Sequence, residues 1–266
     1  MRVLVAIPVY NEAATVRSVL SRVLRHAGNV LVVDDGSTDD TTRLLVDFPV
    51  DSIRHAVNRG YGRSLIDAFR FAADDGYDWV ITMDCDEQHE PESIPDFLDA
   101  AARADKALRH AGDSFAREHG ADIISGTRYA GLEPLGQEAP ADRRTINATI
   151  TSELNHRLGL RLTDAFCGFK AYRVSALRKL ALTENGYAFP MQFWVQAVAR
   201  GLTIKEIPVR RIYMDLSRTF GDGLDNPAVR LAHYRDVMHR EIVRSREHLP
   251  AQAALGLAPG VSALPR

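Results

Sequence analysis

The first ninety residues repeat one pattern, and it restricts the fold more than any other feature. A short apolar run ends in a polar or acidic turn, and apolar residues at helical spacing follow. The apolar runs are "RVLVAIPVY", "NVLVVDD" and "YDWVITMD", while "VDSIRHAV" reads as a more polar third strand. Uninterrupted apolar runs of this length are the mark of strands buried on both faces. After the first come Val16, Val19, Leu20, Val23 and Leu24, one face of a helix; after the third come Leu65, Phe69 and Ala72. The second leads into a helix expected from about Thr38, a residue able to cap it. Strands alternating with helices predict an α/β fold with a mainly parallel sheet covered on both faces. Ligands of such sheets bind beyond the carboxyl ends of the strands. Pro8, Asp34, Asp35, Asp84 and Asp86 all fall at those ends.

The second half is less regular. "AARADKALRHAGDSFAREHG" reads as a helical excursion before a fifth strand in "GADIISGTRY". "GLEPLGQEAPADRR" is rich in Gly, Pro and charge, the composition of a mobile loop. "TINATITSELNHRLG" is a helix candidate, "LTDAFCGFKAYR" reads as irregular, and "GLTIKEIPVRRIYM" as a late strand. Residues 226–248 predict a basic amphipathic helix, and the tail 249–266 has little to pack and is expected to stay disordered. No linker or repeat divides the chain. The expectation is one domain over 1–248, with a nucleotide-binding half at 1–90 and an acceptor half at 91–248.

Composition excludes several classes. Lys and Arg number 33 against 35 Asp and Glu, a net charge of −2, which argues against electrostatic binding of nucleic acid. No run approaches the apolar length of a membrane span. The two cysteines, Cys85 and Cys167, match no metal-ligand spacing and suit a reducing compartment. A cytoplasmic protein, able to sit at a membrane surface, is the expectation.

"VITMDCDEQHEP" puts Asp84, Asp86 and Glu87 within four positions at the end of a strand. Crowded carboxylates resist burial unless something compensates. Two explanations compete. Mg²⁺ or Mn²⁺ prefers oxygen ligands and commonly shares one or two carboxylates with substrate phosphates, with Gln88 able to add a neutral oxygen. Alternatively the acids only favour the start of the helix entered through Pro91. In "VVDDGSTDD", Asp34 or Asp35 can accept from a nucleobase N–H, or the stretch is an acidic turn. "NRGYG", with Asn58 and Gly62, lets backbone approach a ligand or makes a tight turn. Arg128 in "GTRY" and Arg144 in "DRR" are candidate phosphate clamps, since guanidinium pairs well with phosphate oxygens.

In order along the chain, "IPVYNE", "VVDDGSTDDT", "NRGYG", "MDCDEQHEP", "GTRY", "DAFCGFKAYR", "GYAFPMQFWVQA" and "EIPV" resemble the family 2 glycosyltransferases. The branch most resembled contains the dolichol-phosphate mannose synthases and polyprenyl-phosphate sugar transferases, and the likeness spans residues 1–211. It implies a GT-A fold and metal-dependent, inverting sugar transfer. By resemblance, Pro8, Tyr10, Glu12, Asp34, Asp35, Asn58, Gly62, Asp84 and Arg128 bind the donor. Asp84, Asp86 and Gln88 hold the Mg²⁺ or Mn²⁺, and Asp86 and Asp164 are catalytic. Gln88, Arg144, Gly168, Phe169 and Arg218 face the acceptor, with Asp164 as sugar orienter or base.

The resemblance implies a nucleotide-diphosphate hexose, GDP-mannose or UDP-glucose, and a polyprenyl phosphate acceptor at a membrane surface. A phosphate acceptor is already anionic at neutral pH and needs no base, which agrees with the lack of an obvious one. The family's late Arg-x-x-Gly-x-Ser-Lys stretch is only partly matched by "SRTFGDGL", where Arg218 and Gly221 fit and the Ser-Lys pair is missing. The same donor chemistry on a soluble hydroxyl acceptor or glycan is therefore the nearest alternative. A sugar-nucleotide pyrophosphorylase needs a glycine-rich first loop, which "IPVYNEAAT" lacks. A catalytically inactive sugar-nucleotide binder is weakly opposed by the intact Asp84 and Asp86.

Overall fold

The computed structural model describes residues 1–109, 114–213, 219–221 and 223–257. Its first half follows the sequence pattern closely. β1 (Val3–Val9), β2 (Val30–Asp34), β3 (Asp51–Arg54) and β4 (Trp79–Thr82) alternate with α1 (Val16–Val23), α2 (Thr41–Leu45) and α3 (Tyr61–Asp74). β1 pairs in parallel with β2 and β4, and β2 with β3. A 3₁₀ turn at Pro91–Ser93 leads into α4 (Ile94–Arg109), then α5 (Ser114–His119) and β5 (Ile123–Thr127).

The remaining elements are β6 (Leu135–Gly136), α6 (Ala141–Leu158), β7 (Lys170–Arg173), α7 (Val174–Leu177), α8 (Phe189–Ala199), β8 (Ile204–Pro208), β9 (Ile212–Tyr213) and α9 (Pro227–Ser245). The main sheet runs β3-β2-β1-β4-β7-β5-β8. β7 is its antiparallel member, set between β4 and β5, while β5 and β8 are parallel. The α/β class and the mostly parallel, helix-flanked sheet are as expected.

Alternate strand residues supply two cores. Leu4, Ala6, Leu31 and Val33 pack with α3, α6, α8 and α9 on one face. Val5, Ile7, Val30 and Val32 pack with α1, α2 and α4 on the other. With a helix layer on each side, both strand faces must be apolar, which is why these runs do not alternate with polar residues.

Four local expectations need correction. α2 starts at Thr41, not Thr38, because the Thr38 amide turns to the Asn11 side chain (2.8 Å) and leaves the helix for Asp40 to begin. "LTDAFCGFKAYR" is not irregular throughout: its last four residues are β7, a strand too short for its pattern to be read. The stretch expected as a mobile loop holds β6, paired with β9, and its "ADRR" opens α6. The tail also packs as far as it is described. A 3₁₀ turn at Ala251–Ala254 buries Ala253, and the Arg157 guanidinium donates to the Ala253 and Leu255 carbonyls at 3.0 and 3.1 Å. The predicted terminal helix is α9, begun by Pro227 and capped by Asn226, whose side chain accepts from Ala228 and Val229 amides.

Candidate functional site

A groove of about 1400 Å³ crosses the carboxyl ends of β1, β2 and β4 and continues along α6, α8 and α9. Its walls include Pro8, Tyr10, Glu12, Asp35 and Asn58 at one end, Asp84, Asp86, Gln88, Arg128 and Gly168 in the middle. Parallel strands point their carboxyl ends the same way, so loops far apart in sequence meet there. A smaller cavity of about 190 Å³, between α8 and α9, contains none of the residues picked out in the sequence.

At the first end the loops are tied by side-chain to backbone bonds. Asn11, with φ of 57°, accepts from the Thr38 and Asp39 amides, and its own amide donates to Ser37 Oγ at 3.0 Å. Asp35 accepts from the Arg59 and Gly60 amides, both at 2.8 Å, and faces His55 Nδ1 at 2.6 Å. The other ring nitrogen of His55 lies 3.0 Å from Asp67, which Arg63 clamps with two bonds of 2.7 Å. A partly buried chain Arg63–Asp67–His55 thus fixes one oxygen of Asp35. Nothing in the spacing of His55 and Asp67 announced it. Asp34 is not in the wall: it accepts from the Ser37 amide and Thr42 hydroxyl and shapes the turn. Gly62 is likewise a packing residue. A Cβ there would lie 2.3 Å from the Glu184 carbonyl oxygen, so α3 can approach that loop only without a side chain.

The middle is organised around Asp84. Its carboxylate accepts from the Tyr61 hydroxyl at 3.2 Å, and its amide donates to His89 Nδ1 at 3.0 Å. Burial holds His89 down to about 4, so it is neutral near pH 7, and with Nδ1 accepting, its proton is on Nε2. Gly168 sits so close that a Cβ would meet Asp84 Oδ2 at 2.5 Å. Glu87, in the turn after Asp86, has a left-handed φ of 59°, strain of the kind that functional turns retain. Phe169 is in the core, stacked on Phe97 at 4.3 Å, and supports His89 from behind.

Among the described residues no three His, Cys, Asp or Glu side chains converge on a point that could hold a metal ion. A cation would therefore depend on Asp84 and Asp86 and be completed by ligand oxygens, the usual habit of Mg²⁺. The surroundings fit that role. Burial pushes the Asp84 carboxyl up, against the Tyr61 hydrogen bond and the charges of Lys170 and Arg128 that pull it down. Extra positive charge would keep it ionised.

Asp164 is fully buried behind the wall and does not line the groove. Arg128 clamps it with bonds of 2.6 and 3.0 Å, and Asn147 Nδ2 donates at 2.8 Å. Burial would raise its carboxyl, yet the Arg128 charge and these bonds hold it well below the usual carboxylate range. A carboxylate so stabilised is a poor proton acceptor. Arg144 pairs with Glu138 outside the groove, and Arg218 lies outside the described residues. At the far end lies Arg230, marked in the sequence only as part of the basic helix 226–248. Arg230 is 2% exposed, bonded to Asp142, and stacked at 4.4 Å on Phe220 beside Tyr234 and Trp194.

Comparison with known proteins agrees with this architecture. The profile described as glycosyl transferase family 2 matches residues 4–109. An undecaprenyl-phosphate mannosyltransferase of Micrococcus luteus is 32% identical over 234 residues, 84% of this chain and 88% of that protein. A polyprenol monophosphomannose synthase of Mycolicibacterium smegmatis is 30% identical over 222 residues, 78% of this chain and 76% of that protein. Among solved structures, glucosyl-3-phosphoglycerate synthase from Mycobacterium tuberculosis, in complex with Mn²⁺ and UDP-glucose, superposes with a TM-score of 0.64. That match has 20% identity and covers 88% of this chain and 77% of that one, a likeness of fold. With relatives this similar along most of its length, the chain is a glycosyltransferase that belongs to glycosyl transferase family 2.

Proposed function

We propose that the protein moves a hexose from a nucleoside-diphosphate sugar to a phosphate-bearing acceptor, with inversion at the sugar. The observation that carries this is the continuity of the groove. It joins the Asp35 end, through Asp84 and Asp86, to a basic and aromatic end around Arg230 and Phe220. The nucleoside lies against Pro8, Tyr10 and Asp35, and the diphosphate reaches Asp84, Asp86 and Gln88. A bound Mg²⁺ or Mn²⁺ would neutralise the diphosphate as leaving group. An acceptor oxygen attacks the anomeric carbon from the face opposite the diphosphate. The new carbon–oxygen bond forms as the bond to the diphosphate breaks, and the diphosphate takes the electron pair. Asp164 orients Arg128 rather than taking a proton, so an acceptor oxygen already ionised, as in a phosphate, suits this groove.

Two acceptors have support, and they differ in the attacking oxygen: the ionised phosphate oxygen of a polyprenyl phosphate, or the hydroxyl of a soluble phosphorylated acceptor, which would need a base. Polyprenyl phosphate is supported by the names of the Micrococcus and Mycolicibacterium relatives. A soluble phosphorylated acceptor is supported by the fold neighbour, whose structures hold phosphoglyceric acid with UDP-glucose and Mn²⁺. It is also in keeping with the absence, among the described residues, of a helix long and apolar enough to cross a membrane.

The test is a transfer assay with UDP-glucose and GDP-mannose, each with Mn²⁺ or chelator, offered undecaprenyl phosphate in vesicles or phosphoglyceric acid in solution. Metal-dependent product with either acceptor supports the reaction and chooses the acceptor. If neither donor raises the melting temperature, the donor reading falls: at about 100 times Kd a ligand adds about 2.7 kcal/mol of stability.

A further inference from the structure

Three of the basic side chains expected or found near the groove are already neutralised. Arg128 is held by Asp164, Arg230 by Asp142, and Arg144 by Glu138. Lys170 is different. It is the first residue of β7, opposite Thr82 of β4, and it lines the groove together with Asp84, Gly168 and Trp194. Its neighbours Phe169 and Ala171 are fully buried apolar residues, and Lys170 itself is 4% exposed. An ammonium carries three donors. Among the described residues they meet one protein oxygen, the Cys167 carbonyl, while the Trp194 ring lies 5.5 Å away. No carboxylate of the described residues forms an ion pair with it.

Lysine is almost never buried unless paired, because an unpaired charge in a protein wall costs stability. A leucine or methionine at this place could pack on Trp194 without that cost. The charge is therefore held without a directly paired carboxylate among the described residues, where a ligand passing along the groove would meet it. Its unsatisfied donors suit a phosphate, which accepts from a compact point charge as readily as from a guanidinium fork.

We propose that Lys170 is a substrate-contacting residue that binds a phosphate-type anion in the groove, either the donor's diphosphate or the acceptor's phosphate. The proposal rests on the sugar-transfer reading above, which supplies both anions. The competing role is to balance Asp84 and Asp164 within the fold.

The experiment uses the full chain as wild type, Lys170→Met and Lys170→Arg. Each is melted, titrated calorimetrically with inorganic pyrophosphate and with UDP and GDP in Mn²⁺, and assayed for transfer. Lys170→Met is expected to weaken the relevant phosphate contact about tenfold or more, the scale of a lost charged hydrogen bond, while Lys170→Arg keeps most of it. Weaker nucleotide and pyrophosphate binding assigns the contact to the donor. Unchanged nucleotide binding with a raised acceptor KM, at unaltered donor KM, assigns it to the acceptor. A Lys170→Met protein with wild-type anion affinities and both KM values unchanged overturns the proposal, as does a wild type that binds neither pyrophosphate nor a nucleotide. If the wild type binds pyrophosphate through Lys170 but transfers no sugar, the reaction reading fails and this contact stands. Lys170→Gln carries the same comparison should the Met variant not fold.

Discussion

The two ends of the groove are built in different ways. The proposed nucleoside end comes from the loops that follow β1, β2 and β3, parallel neighbours in the main sheet. Those loops are short, and they are bound to each other through main-chain amides: Asn11 to Thr38 and Asp39, Asp35 to Arg59 and Gly60. The proposed acceptor end draws on α6, the loop before β7, α8 and α9, which are joined by side chains that are far apart in sequence. Arg230 reaches Asp142 across 88 residues, and Arg128 reaches Asp164 across 36. At the first end the sheet positions the loops, and side chains such as Asn11 and Asp35 tie them through main-chain amides. At the second, the same charged side chains hold the fold together, so function and stability are not separable there.

The sharpest test of that contrast is a pair of isosteric changes. Asp86→Asn, at the strand-end site, is expected to cut turnover about a hundredfold or more, as the loss of one electrostatic stabiliser does elsewhere, with the melting temperature unmoved. Wild-type rates in both metal-replete and chelated buffer would remove Asp86 from the machinery. Asp164→Asn should instead lose stability, about 3 kcal/mol or more, because Arg128 keeps its buried charge and loses its partner. Denaturant unfolding measures this. The pH dependence has a definite sign. The Asp164 carboxyl is lower in the folded than in the unfolded chain, so its contribution is complete above about pH 4 and is lost as the pH falls below that. The variant should lack this acid limb, and an identical limb in both proteins would mean the Arg128 pair is not what holds Asp164 down.

The contrast also explains what could be read from sequence. Pro8, Asp35, Asp84 and Asp86 were legible because strand ends announce themselves: an apolar run stops, and the residue after it has only one place to be. Asp34 shared that signal with Asp35, but one position along an extended strand reverses the side chain, and Asp34 turned to Ser37 and Thr42. Arg144 and Phe169 were misleading for a related reason. A motif fixes a residue's place in the chain, not the direction in which a helix or a tight loop points it. His55 carried no local signal, Lys170 lay inside "DAFCGFKAYR" with nothing to mark it as a charge in the groove wall, and Arg230 was one basic residue among several in the helix 226–248. His55 gains its meaning from Asp67, 12 residues away, and Arg230 from Asp142, 88 away, while β7 was hidden because four residues are too few to show a period.

A smaller effect should sharpen the same division at the nucleoside end. Removing the ring in His55→Ala takes one of two partners from Asp35 Oδ1 and leaves both amide bonds. The expected outcome is a donor KM raised about tenfold, the scale of one charged hydrogen bond, with kcat and acceptor KM little changed. A fall in kcat at unchanged donor KM would show that this chain serves the reacting centre and not the nucleoside.

The smallest expected effect concerns the tail. Truncation after Pro250 removes Ala253 from its contact with α6 and leaves the Arg157 guanidinium without the Ala253 and Leu255 carbonyls, though Glu153 still holds its Nε at 3.1 Å. Exchanging those acceptors for water should cost about 1–2 kcal/mol, read as a lower denaturant midpoint at unchanged slope. Because α6 also carries Asp142 and Asn147, the partners of Arg230 and Asp164, any loosening should reach the acceptor end before the nucleoside end. A truncated protein whose acceptor KM rises while its nucleotide affinity stays constant would follow from that arrangement. Equal changes at both ends would mean the groove behaves as one rigid unit, and the division between a sheet-built end and a side-chain-built end would have no energetic content.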